Sequence, residues 1–132
     1  MSDRVVRLTE LSAVDEAIAS STNRPVFVYK HSTVCPVSAR AADHYHDFAD
    51  DFADGDADGD GDGDTDENAS TPTPLFTQIL VIENRDISNE IESRLGIRHE
   101  SPQLLLVRDG KVTWHASHFS ITGKDIKNAL ED

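Results

Sequence analysis

The chain has 132 residues, one cysteine, 37% hydrophobic residues and a net charge of −13, enough for one core and too short for two ordinary domains. No apolar run reaches bilayer length and the first residues lack the apolar stretch of a secretory signal, so the expected protein is cytoplasmic, without a membrane partner. The acidity is local: residues 50–67 hold ten acids and no bases, and the other 15 acids stand against 12 bases, a balance of −3 that argues against a nucleic-acid surface.

Val5, Val6 and Leu8 suggest a short first strand, and Leu11, Val14, Ala17 and Ile18 recur at helical spacing until about Asn23. Residues 25–30, Pro-Val-Phe-Val-Tyr-Lys, read as a central strand buried on both faces. A helix opens at Pro36, with Val37, Ala41, Tyr45 and Phe48 along one side. Residues 54–74, rich in alternating Asp and Gly, cannot bury enough apolar area to offset the entropy of ordering, so a disordered acidic insertion is expected there. A strand over 76–82 follows, then a helix over 86–95 buried through Ile87, Ile91 and Leu95 and stopped by Gly96. Pro102 precedes a strand over 103–108, and Asp109-Gly110 turns it into a hairpin partner over 111–116. Thr122 caps a closing helix that faces inward through Ile126, Ala129 and Leu130. The order βαβαβαββα predicts a single α/β domain over 1–132, with a central mixed sheet flanked by helices.

Cys35 sits where the central strand meets a helix start, in Lys30-His31-Ser32-Thr33-Val34-Cys35-Pro36-Val37-Ser38. A lone cysteine can be a small buried hydrophobe. The neighbours favour reactivity: Pro36 suits a first helical position, and helix N-terminal N–H groups stabilise a thiolate. An unperturbed thiol, with a pKa of about 8.5, is only a few per cent ionised near neutrality, so such stabilisation decides the rate of exchange. Ser38 occupies the place where a dithiol protein carries its second cysteine, making the motif C-x-x-S. With one cysteine in the chain, any disulfide must form with another molecule. His31, four residues before Cys35, is a candidate for part of the thiol's activation and equally a strand-edge histidine.

The element order, the cysteine between the second strand and second helix, and the proline before the fourth strand resemble the thioredoxin superfamily. Residues 30–38, His99-Glu100-Ser101-Pro102-Gln103 and Trp114-His115-Ala116-Ser117-His118 are similar to the monothiol bacilliredoxins, over nearly the whole chain apart from the acidic insertion. That resemblance implies a thioredoxin-like fold and removal of bacillithiol from protein mixed disulfides, with Cys35 as attacking thiolate. Ser38 would then hold the resolving position without being able to resolve. It further implies a cis Pro102, with Ser101 presenting backbone groups to the substrate beside the cysteine; a trans strand-start proline is the alternative. The expected partners are bacillithiolated client proteins and bacillithiol itself, a co-substrate rather than a tightly bound cofactor. The protein is expected to be a monomer.

Bacillithiol carries a malate group, so cations near the thiol would help bind it. Lys30, Arg40 and Lys124 are available, though each also reads as an ordinary solvated charge. Two other function classes compete. Residues 56–67 match the spacing of a calcium loop, but alternating Asp-Gly meets that pattern automatically, and the prolines that follow oppose an exiting helix. His44 and His46, and His115 and His118, lack strong ligand spacing, so no metal centre is expected. A non-catalytic interaction module with this fold is the remaining alternative.

Overall fold

The computed structural model describes residues 5–34, 36–59 and 73–131. In chain order the elements are β1 (Val5–Arg7), α1 (Leu11–Ser20), β2 (Val26–His31), α2 (Pro36–Gly59), β3 (Leu75–Leu80), α3 (Arg85–Leu95), β4 (Gln103–Arg108), β5 (Lys111–Ser117), a 3-10 turn (His118–Ser120) and α4 (Gly123–Glu131). The five strands form one sheet in the order β1-β3-β2-β4-β5. β1, β3 and β2 are parallel, whereas β4 runs antiparallel to both β2 and β5.

Side chains alternate across a strand, so neighbouring residues of the inner strands enter different cores. Phe27, Tyr29, Phe76, Leu104 and Leu106 pack under α2 and α4 against Ala41, Tyr45, Ile121 and Ile126. Val26, Val28, Ile79, Leu105 and Val107 pack under α1 and α3 against Val14, Ala17, Ile87 and Ile91. Each large aliphatic side chain withdrawn fully from water contributes roughly 1.5–3 kcal/mol before its entropy cost. Phe27 and Phe76 stack at 5.4 Å between centroids on adjoining strands, anchoring the register of β2 against β3.

Two boundaries differ from the sequence expectation. β3 stops at Leu80, leaving Val81 and Ile82 in a turn, with Ile82 exposed. Its partner β2 ends in the pair His31–Leu80, so no facing strand remains to satisfy a longer ladder. The second helix continues through Gly59, past residue 54 where irregular chain was expected. Propagating a formed helix adds one hydrogen bond per residue fixed, and the packed turns before it have already met the nucleation cost. The remainder of the acidic segment, 60–72, lies outside the described residues, and with it most of the calcium-loop pattern.

The punctuation falls where the residue chemistry puts it. Gly96 ends α3 in the left-handed region at φ 72°. Asp109 and Gly110 both have positive φ, 54° and 76°, the geometry that lets a two-residue turn follow the twist of its strands. The turn is also tied down from afar: Ser21 accepts the Asp109 N–H on its carbonyl and the Gly110 N–H on its hydroxyl, both at 2.8 Å.

Candidate active site

Cys35 lies outside the described residues; it is joined in sequence to Pro36, the first residue of α2. β2 ends at His31, residues 32–34 make the connection, and the first turn of α2 carries no acidic side chain to offset its exposed N–H groups. Val34 is 76% exposed, so this connection runs over the surface.

Ser38 is completely buried. Its Oγ accepts the Ser32 N–H at 3.3 Å, and its carbonyl accepts the Tyr29 hydroxyl at 2.8 Å. The residue expected in the resolving position thus ties Ser32 to the first turn of α2 and that turn to β2. The Ser38 hydroxyl proton remains available for donation.

His31 is half-buried on the α2 side of β2, its Nδ1 3.2 Å from the Tyr29 hydroxyl. Burial, then the proximity of His46, lower its pKa below the ordinary imidazole value, opposed by Glu83. At neutral pH His31 is therefore an uncharged hydrogen-bonding ring.

The start of β4 lies beside the end of β2, with Gln103 paired to Lys30. That register brings Ser101 and Pro102 to the edge where residues 32–34 leave the sheet. The Ser101–Pro102 peptide is cis. Gln103 holds the preceding loop by donating from Nε2 to the Arg98 carbonyl at 2.9 Å and accepting the Glu100 N–H at 3.4 Å. Ser101 Oγ is buried and has no hydrogen-bond partner among the described residues, a polar atom positioned to meet another group at this edge.

Lys30 is the largest departure from the sequence reading. It is fully buried, on the same side of β2 as Val26 and Val28, so it cannot serve as a surface cation for a ligand. Desolvation lowers its pKa to about 8, against the attraction of Glu92. Its Nζ sits 3.2 Å from His99 Nδ1, which Ser88 Oγ also approaches at 3.2 Å. Sequence reasoning missed this cluster; the one available signal was a lysine closing an apolar run. Arg40 and Lys124 are exposed, on α2 and just inside α4.

Two of the histidines weighed as ligands have side-chain partners. His46 is buried, with Nε2 2.7 Å from Gln78 Oε1, and His118 Nδ1 lies 3.4 Å from Glu100 Oε1. No cluster of three or more metal-ligating side chains occurs among the described residues, nor does any helix there have the length and apolarity to cross a membrane.

The architecture has close structural counterparts. A solved structure described as a candidate oxidoreductase with a thioredoxin fold is 26% identical, with a TM-score of 0.70 over 97% of this chain and 94% of that one. Thioredoxin from Malassezia sympodialis matches at 13% identity and TM-score 0.66, over 96% of this chain and 88% of its own. Mitochondrial thioredoxin 3 from Saccharomyces cerevisiae matches at 16% and 0.63, over 97% and 94%; these two establish the shared fold. A family model described as monothiol bacilliredoxin BrxC matches residues 6–57 and 64–126, passing over a short piece of the acidic segment. The chain therefore belongs to the monothiol bacilliredoxin family, thioredoxin-fold proteins with a thiol redox function.

Proposed function

We propose that this protein removes bacillithiol from protein mixed disulfides, using Cys35 as its nucleophile. The observation that carries the reading is the presence of a single cysteine in a chain matched by the monothiol family over both halves of its fold. The Cys35 thiolate attacks the bacillithiol sulfur of the mixed disulfide. The client thiolate leaves and takes a proton from water, while bacillithiol passes to Cys35 as a new disulfide. A second bacillithiol thiolate then attacks that bacillithiol sulfur, releasing bacillithiol disulfide and restoring Cys35. Bacillithiol is thus a co-substrate, and no tightly bound cofactor enters the cycle.

Three features support these roles. The N-terminus of α2 lacks an acid in its first turn and so favours an anion beside Pro36. Ser38 holds the connecting segment through Ser32 and offers a hydroxyl instead of a resolving thiol. Ser101 brings to the same edge a buried oxygen with no hydrogen-bond partner among the described residues. The test is release of bacillithiol from a bacillithiolated client protein in the presence of free bacillithiol. The native protein should accelerate it and Cys35→Ala, folded, should not; equal rates for the two would reject the reading.

A further inference from the structure

Beside the first two turns of α2 lies a groove of about 300 Å³, at the lower end of the range that small-molecule sites occupy. One wall is a single face of α2, where Val37, Arg40 and His44 succeed each other at helical spacing. The other wall is the connection from β5 to α4, carrying His118, Ile121 and Thr122.

This second wall is held to the Ser101–Pro102 edge. His118 takes a left-handed backbone, φ 55°, and donates its N–H to the Pro102 carbonyl at 3.0 Å. Its ring Nδ1 lies 3.4 Å from Glu100 Oε1, which leaves the Nε2 edge for another partner. Thr122 Oγ1 is engaged with Asp125, donating to its carboxylate at 3.0 Å and accepting its N–H at 3.2 Å. Glu100 and Asp125 are thus each turned to a neighbour, and no acidic side chain among the described residues lines the groove itself.

In a chain of net charge −13, a concavity lined by an arginine and two imidazoles, with an apolar floor and no acid, selects for an anionic group. An exposed guanidinium presents paired donors that suit carboxylates, and ring N–H groups add further donors. The helix that forms the wall begins at Pro36, the residue that follows Cys35 in the chain.

We propose that the groove binds the malate dicarboxylate of bacillithiol, with Arg40 pairing one carboxylate and His44 and His118 donating to the other. This rests on the reading of Cys35 as the bacillithiol acceptor and adds where the rest of the molecule is held. His44 and His118 entered the sequence reading in two separate pairs, His44 with His46 and His118 with His115, neither with strong ligand spacing. Their common feature is the groove.

The experiment separates binding from chemistry. Cys35→Ser protein is titrated with S-methyl bacillithiol, which has no thiol to exchange, by calorimetry, and the titration is repeated with Arg40→Gln, His118→Gln and Lys127→Gln added. Arg40→Gln should weaken binding roughly tenfold or more, His118→Gln should weaken it measurably, and Lys127→Gln on the exposed side of α4 should leave it unchanged. Free malate should compete, whereas the corresponding cysteinyl-glucosamine lacking malate should not bind at the same concentrations. Absence of saturable binding at millimolar ligand, or equal affinity for the native groove and Arg40→Gln, would overturn the proposal whatever Cys35 does. Binding that depends on Arg40, in a protein that nevertheless fails to release bacillithiol from clients, would uphold the groove and reject the catalytic reading instead.

Discussion

Lys30 Nζ lies 3.2 Å from His99 Nδ1, and the lysine is wholly inside the protein. An ammonium group can only donate, so Nδ1 is the acceptor and the His99 proton resides on Nε2. The same direction follows from the electrostatics: desolvation and then the Lys30 charge lower the His99 pKa below the ordinary imidazole value. Glu92 completes the arrangement, its carboxylate accepting the backbone N–H of His99 at 2.9 Å. The loop that delivers Ser101 and Pro102 is thereby fastened to α3 and β2 before β4 begins.

Removing the Lys30 charge should raise stability at neutral pH. Its folded pKa of about 8 lies below the ordinary 10.5, so the unfolded chain holds the extra proton between those values and stability climbs with pH across that window. Lys30→Met should therefore melt at a higher temperature at pH 7, by about 1 kcal/mol or more of stability. It should also lose the rise between about 8 and 10.5. Thermal denaturation at pH 7, 9 and 10.5 reads both effects. A lower melting temperature at pH 7 would mean that the hydrogen bond to His99 outweighs the desolvation cost.

Ser38 is expected to matter for structure as well as for the redox cycle. Ser38→Ala deprives the Ser32 N–H of its acceptor and should cost about 1–2 kcal/mol in urea denaturation. Ser38→Cys restores a thiol three residues after Cys35. Treated with bacillithiol disulfide, that variant should close an internal disulfide and discharge bacillithiol, seen as loss of the adduct mass and of two hydrogens. Persistence of the adduct would place the new sulfur out of reach.

His31 supplies a prediction with a definite sign. Its folded pKa is below 6.5, so the stability it contributes is complete above that pH and declines as the pH falls through the folded value. His31→Gln should flatten the acid limb of the stability curve. Because the ring is uncharged near neutrality, the same substitution should leave the midpoint of Cys35 alkylation almost unmoved, with both proteins below the ordinary thiol value. A midpoint raised by a full pH unit in His31→Gln would instead give the His31 ring a direct part in activating the thiol.

Gly110→Ala should destabilise the β4–β5 hairpin. The glycine sits at φ 76° with open space where a Cβ would project, so the penalty is conformational, about 1–2 kcal/mol. Gly123→Ala, also with open space and without a positive φ, should be near neutral or stabilising. Melting temperatures of the two variants provide the comparison.

What the residues revealed in advance follows from the range of the forces. The β4–β5 turn was legible because Asp-Gly encodes its own dihedrals, and α3 because Ile87 and Ile91 mark a buried face at helical spacing. The interior place of β2 was legible in its unbroken apolar run. Lys30 was not, since its burial is set by the packing of α3 and the 96–102 loop over the sheet, elements more than fifty residues away. The groove was equally hidden: Arg40 and His44 meet His118 and Thr122 only once α2 and the β5–α4 connection lie side by side. The end of β3 depended on where its partner strand stops. Within the candidate site, the C-x-x-S motif identified Ser38, whereas the Ser32 N–H that occupies its Oγ belongs to a loop whose shape no local rule supplies.

Mass spectrometry of Cys35 after exposure of the native protein to a bacillithiolated client tests the central claim most directly. The account predicts a peptide containing residue 35 that gains one bacillithiol, with matching loss from the client, and returns to its original mass on addition of free bacillithiol. A client freed of bacillithiol while Cys35 never carries the adduct, or a Cys35 that stays unmodified beside an unchanged client, would contradict it.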